Sequence, residues 1–174
     1  MKVLIAYAST EGQTRKIAEF IGNRVRDRND EVMVFDTNAT LDDVDVNAFD
    51  KVILAGSVHL EKHQENLAIF VVAKREKLQA RPSMFVSVSL AAAFADTKTE
   101  ADRYVADFLA EFGWQPTTVL TVAGAVQHGE YGYYREQLLE HFVLDGIHLD
   151  DIREDQEFTD WEALSKAVDA FLNA

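Results

Sequence analysis

Cysteine is absent from the 174 residues of the chain. Disulfide frameworks, thiolate zinc sites, iron–sulfur clusters and cysteine nucleophiles are thereby excluded. Proline occurs only twice and no glycine- or serine-rich tract or repeat interrupts the sequence, so nothing marks a linker. Residues 1–174 therefore read as a single domain with length enough for a proper core. No apolar run approaches the roughly 20 residues of a membrane span. An apolar strand already beginning at Val3 leaves no room for a signal peptide, so a cytoplasmic protein, at most peripheral to the inner membrane face, is expected. Positive charge is scarce as well: 17 Lys and Arg stand against 30 Asp and Glu, a formal charge of −13. Such a surface repels phosphodiester backbones and anionic lipid heads. Nucleic acid is not expected as a partner, and membrane association is disfavoured.

What is present is an alternation of two periodicities. Val3-Leu4-Ile5-Ala6-Tyr7 is a continuous apolar run, as in a strand covered on both faces. After a small-residue turn, Ile17, Ala18, Ile21 and Val25 recur at helical spacing. Glu31 to Asp36, Lys51 to Gly56, Met84 to Ser89 and Val119 to Gly124 read as further strands, the third ending in its glycine. Leu67, Phe70, Val71, Lys74 and Leu78 mark a helix closed by Arg81-Pro82; Ala101, Tyr104, Val105, Phe108, Leu109 and Phe112 mark another. Thr159 is placed to cap a last helix whose inward face is Trp161, Leu164, Val168 and Phe171. The fold class is α/β: a doubly wound five-stranded parallel sheet of order 2-1-3-4-5 with helices on both faces. In such sheets ligands sit beyond the carboxyl ends of the strands, which puts the chemistry after Tyr7, Gly56, Ser89 and Gly124.

Residues 127–158 break the alternation as an insert before the last helix. From Gly129 to Asp160 it carries ten acids and two bases, and Tyr134, Leu138 and Phe142 lie at helical spacing within it.

The loop Ser9-Thr10-Glu11-Gly12-Gln13-Thr14 supplies three hydroxyls and a glycine where a helix begins. Helix-start N–H groups and the positive end of the dipole favour an anion there, and Gly12 permits close backbone approach. The lysine of a triphosphate loop is missing, as is the G-x-G-x-x-G of a dinucleotide site. Hydroxyls without a fixed cation suit one terminal monophosphate, such as that of FMN.

A loop of this form after a first strand resembles the phosphate motif of the flavodoxin family. Within that family the chain is most similar to the quinone-dependent protoporphyrinogen IX dehydrogenase branch. The stretches that carry the similarity are Glu11–Thr14, Ser87-Val88-Ser89-Leu90, Ala123-Gly124-Ala125, Tyr131-Gly132-Tyr133-Tyr134 and Thr159-Asp160-Trp161-Glu162. The resemblance implies an FMN oxidoreductase acting on a small-molecule substrate or quinone. It implies a flavin ring between a wall of Ser57, Val58, His59 and Leu60 and a second wall running from Leu90 through Ala91 and Ala92 to Phe94, with Ser89 and Gly124 also among the cofactor-binding residues. His59 and Phe94 are candidates to stack on that ring, whereas His63 reads as a surface residue. No catalytic acid or base and no metal ligand stands out. In the resembling dehydrogenases the insert is basic; here acids replace the bases, which would repel a substrate bearing carboxylates. A flavodoxin-type electron carrier docking a basic redox partner protein, and another flavin-dependent quinone reductase, are the alternatives. A phosphoacceptor domain is disfavoured, because Ala8-Ser9-Thr10 follows the first strand where clustered aspartates would be needed.

Overall fold

A computed structural model describes residues 1–38, 44–127, 138 and 155–174. Five parallel strands form the sheet: β1 (Lys2–Ala8), β2 (Glu31–Asp36), β3 (Lys51–His59), β5 (Ser83–Ser89) and β6 (Thr118–Ala123). Their spatial order is β2-β1-β3-β5-β6, which in parallel-strand order is the expected 2-1-3-4-5. Val3, Leu4, Ile5, Ala6, Ile53 and Leu54 are wholly buried, since helices cover both faces of the central strands.

One face is packed by α1 (Gln13–Asp27) and α4 (Trp161–Asn173), through Ile17, Ile21, Val25, Leu164 and Val168. The other is packed by α2 (Glu65–Gln79) and α3 (Lys98–Phe112), through Leu67, Phe70, Val71, Val105 and Phe108. Phe85 on β5 anchors this second layer, with Phe108 at 5.2 Å and Trp114 at 5.4 Å between ring centroids.

Three expectations need correction. The third strand does not end at Gly56; it runs on to His59 and turns back as β4 (Lys62–His63), pairing Val58 with His63 antiparallel. Gly56 is needed for packing, because a Cβ there would lie 2.4 Å from Leu67 Cδ2. His63 is not a surface residue, since this return stroke folds it under α3. Thr159 does not cap α4: Asp160 Oδ1 accepts the Ala163 N–H at 2.9 Å, while the Thr159 hydroxyl donates to Ala123 O at 2.7 Å. Asp160→Ala is expected to cost about 1 kcal/mol of stability in urea titration; an unchanged midpoint would remove it from the cap.

The insert leaves the sheet as a two-stranded ribbon of β7 (Ala125–Val126) and β8 (Gln156–Glu157), paired antiparallel. Leu138 is fully buried with Leu90 and Val126. Tyr131, Tyr133, Tyr134 and Phe142 lie outside the described residues, as does most of the acidic segment. Among the described residues no helix is long and apolar enough to cross a membrane.

Candidate functional site

The site is built where β1 stops. Beyond Ala8 the chain crosses Ser9 to Gly12 and enters α1 at Gln13. Gly12 is the N-cap with φ +94°, a left-handed conformation that suits glycine, and its N–H donates to Ser9 Oγ at 3.0 Å. The next amides of α1 have no acceptor within the helix, so they and the helix dipole face the loop's hollow.

A narrow cavity of about 30 Å³ opens there. From the first loop it gathers Ser9, Thr10, Glu11, Gln13 and Thr14; from the end of β3, Ser57, Val58 and His59; from beyond β5 and β6, Ser89, Leu90 and Gly124. The three strand ends that sequence order holds far apart thus converge beside β1, at the point where the winding of the sheet reverses. Val88 and Ala125 also line the cavity and were not anticipated; both are apolar, with no signature beyond adjacency to Ser89 and Gly124. Five anticipated residues, Gly12, Leu60, Ala91, Ala92 and Phe94, lie outside this lining. Gly12 acts through its backbone, Leu60 projects from the β3–β4 turn toward a different groove, and Ala91 packs with Ala101 and Tyr104, taking Ala92 with it. Phe94 stands edge-on to Phe158, with ring centroids 5.4 Å apart.

Two buried hydroxyls carry most of the chemical information. Thr14 is 1% exposed, yet among the described residues its Oγ1 has no hydrogen-bond partner, and Ser57 Oγ is buried and likewise unpartnered among them. Both residues line the cavity. A buried polar atom without a partner costs on the order of 1–3 kcal/mol, so an acceptor placed between them would relieve a real penalty. Hydroxyl and amide donors around an electropositive helix start form a set suited to a phosphate ester. The residues present therefore fit the phosphate end of FMN.

Polar side chains tie this loop to the ribbon. Gln127 Nε2 donates to Glu11 O at 2.7 Å, and Gln13 Nε2 to Thr159 Oγ1 at 2.8 Å. Lys16 pairs with Glu157, whose other oxygen accepts from Trp161 Nε1 at 2.7 Å. Burial would raise the Glu157 pKa, but bonds from Lys16, Trp161 and Gln13 outweigh it and hold the carboxyl below its usual range. Consequently the one lysine in the first turns of α1 is committed to the ribbon rather than to the loop. The same residues enclose a neighbouring cavity of about 480 Å³, which shares Glu11, Gln13 and Ala125 with the first and adds Gln127 and Asp155. His59 Nδ1 lies 3.9 Å from Glu11 Oε1, which brings the second loop beside the first. No group of three or more His, Asp or Glu able to hold a metal occurs among the described residues.

Comparisons with known proteins agree with this arrangement. A family profile described as a flavodoxin domain matches residues 4–145. Protoporphyrinogen IX dehydrogenase (quinone) of Escherichia coli strain K12 is 25% identical over 166 residues, covering 95% of this chain and 91% of its own length. The protein of that name from Leishmania major is 28% identical over 176 residues, covering 98% of this chain and 74% of its own length. Among solved structures, oxidised flavodoxin 2 of Bacillus cereus superimposes with a TM-score of 0.60 at 19% identity, covering 99% of both chains. The profile spans most of the sequence, and the sheet order and carboxyl-edge cavity are those of the fold: the chain belongs to the flavodoxin family.

Proposed function

We propose that this protein is an FMN-dependent oxidoreductase of the protoporphyrinogen IX dehydrogenase type, passing electrons to a quinone. The observation that carries the FMN assignment is the pair of unpartnered buried hydroxyls, Thr14 Oγ1 and Ser57 Oγ, lining one cavity at the start of α1. In this reading Ser9, Thr10 and Thr14 hold the phosphate together with the amides that follow Gly12. Gly12 supplies the backbone turn, and Glu11 and Gln13 fix the loop to the ribbon. Ser57, Val58 and His59 flank the ring on one side. Ser89, Leu90, Ala91 and Ala92 flank it on the other, with Gly124 beside Ser89, whose carbonyl accepts the Gly124 N–H at 3.1 Å. The chemistry FMN supplies when bound is acceptance of a hydride and onward delivery of electrons; the chain contributes grip, orientation and field.

The electron donor and acceptor follow from likeness to the named relatives. A second reading, a one-electron carrier for a basic partner, is favoured by one observation, the formal charge of −13.

Titration of the protein with FMN, followed by loss of flavin fluorescence, tests the cofactor. Thr14→Val and Ser57→Ala are each expected to weaken binding about tenfold or more, the value of a hydrogen bond to a charged group. Unchanged affinity in both would remove these hydroxyls from the site. Anaerobic mixing of the FMN-loaded protein with protoporphyrinogen should bleach the flavin absorbance, and menadione should restore it. Bleaching by chemical reductant but not by protoporphyrinogen would leave the carrier reading.

A further inference from the structure

Helix α2 is apolar on more sides than its position in the fold requires. Leu67 to Ala73 is an unbroken run of seven apolar residues. Leu67, Ala68, Phe70 and Val71 face the sheet and are buried, whereas Ile69 and Val72 are 44% and 57% exposed. A surface helix needs one apolar stripe, and this one has a second. Nearby, Leu60 at the tip of the β3–β4 turn is 68% exposed and held at φ +50°, a region that a bulky side chain rarely adopts. These residues belong to one feature: a groove of about 870 Å³ between α2 and α3, walled by Leu60, Ile69 and Val72 and backed by Tyr104, Phe108 and Phe112.

The charges around the groove have a sign. Glu61, Glu65, Asp107 and Glu111 line it against Lys62 and Arg103. Arg103 is already engaged, 3.5 Å from Glu61, 4.0 Å from Asp107 and stacked over the Tyr104 ring at 5.1 Å. That leaves Glu65 and Glu111 as carboxylates with no ion-pair partner among the described residues. They lie toward opposite ends: α2 starts at Glu65, α3 finishes at Phe112, and both helices run from the carboxyl edge of the sheet to the amino edge. Residues 65–73 span about 12 Å of helix, two turns.

We propose that this groove docks an amphipathic helix of a partner protein, with its apolar stripe on Ile69, Val72 and Leu60 and lysines or arginines directed at Glu65 and Glu111. A helix laid in an apolar groove with charged flanks is a common recognition mode. A second copy of this chain is the poorer occupant, because it would bring another −13 to an acidic rim. An anionic lipid surface is disfavoured for the same reason. The groove and the cavity at the start of α1 share no lining residue among the described residues, so docking there stands independently of the FMN assignment.

The probe is a fluorescein-labelled peptide of leucine and lysine patterned as an amphipathic helix, with a leucine–glutamate peptide of the same pattern as control. Fluorescence anisotropy at about 0.15 M salt screens loose charge attraction. The leucine–lysine peptide is expected to bind and the leucine–glutamate peptide not. Ile69→Lys with Val72→Lys should weaken binding at least about tenfold, and Glu65→Gln with Glu111→Gln about threefold. Val119→Lys adds a lysine at an exposed apolar position on β6, outside the groove lining, and should leave affinity within twofold of wild type. All three exposed positions tolerate lysine without disturbing the core, and unchanged circular dichroism checks this. Absence of binding, or weakening by Val119→Lys equal to that by Ile69→Lys with Val72→Lys, overturns the proposal. So does a dimer in light scattering that Ile69→Lys with Val72→Lys converts to monomer, which would assign the face to a second copy.

Discussion

Gly12→Val is expected to lower FMN affinity at least about a hundredfold, close to 3 kcal/mol. The cause is not crowding, since a Cβ at Gly12 would meet no atom within 4 Å. It is the backbone. At φ +94° and ψ −17° a β-branched residue is strained by roughly 1–3 kcal/mol. Relief of that strain requires the peptide on either side to rotate. Rotation withdraws the Gly12 N–H from Ser9 Oγ and re-aims the amides that open α1, which is the donor set assigned to the phosphate. Two losses therefore add, the strain and the misdirected donors. Gly113 provides the control: it ends α3 at φ +61°, far along the chain from the loop, and Gly113→Val should reduce stability similarly while leaving FMN affinity intact. Equal affinities for wild type and Gly12→Val would separate this loop from the phosphate.

The sequence made the sheet legible because its central strands are continuous apolar runs bounded by helical stripes, and the sheet order follows from handed crossovers. Convergence of Ser9–Thr14, Ser57–His59, Ser89–Leu90 and Gly124 on one cavity was legible for the same reason: the switch point of such a sheet has a fixed address. What stayed hidden is local. The β3–β4 turn is made by Leu60 and Glu61, both at positive φ, where hairpins usually announce themselves with Asn-Gly or Asp-Gly. Without that signal the strand ends at Gly56 by inspection, and His63 reads as a surface residue. Thr159 and Asp160 are both competent caps; only the carbonyl of Ala123 and the amide of Gln13, brought close by the fold, decide that Thr159 is diverted. The ribbon at Ala125–Val126 and Gln156–Glu157 has two residues per strand, too few for any period to register.

His63 leads to an effect of similar size on stability. Its ring lies 4.8 Å from that of Phe108 and 5.1 Å from that of Phe85, and Nε2 is 2.8 Å from Ser87 Oγ. Burial disfavours the imidazolium and pulls the pKa from 6.5 down to about 4. The sign follows from proton counting. Above pH 6.5 the side chain is neutral folded and unfolded, and its contribution to stability is fully present. Between about 6.5 and 4 the unfolded chain binds a proton that the folded chain refuses, so stability falls as the pH falls. Below about 4 the folded state accepts the proton too, and the loss levels off at about 3 kcal/mol. Asp30, Asp45 and Glu157, whose folded pKa values are lowered, add losses of the same direction at more acidic pH, through their own carboxylate range. The histidine is therefore isolated by the upper part of the window. Urea unfolding of wild type and His63→Gln between pH 7.5 and 5 should show a declining wild-type stability and a nearly flat variant, whatever the variant's absolute stability. In the same range the His63 ring resonances should not move; a midpoint near 6.5 would mean that the ring is hydrated and the β4 return stroke is not closed.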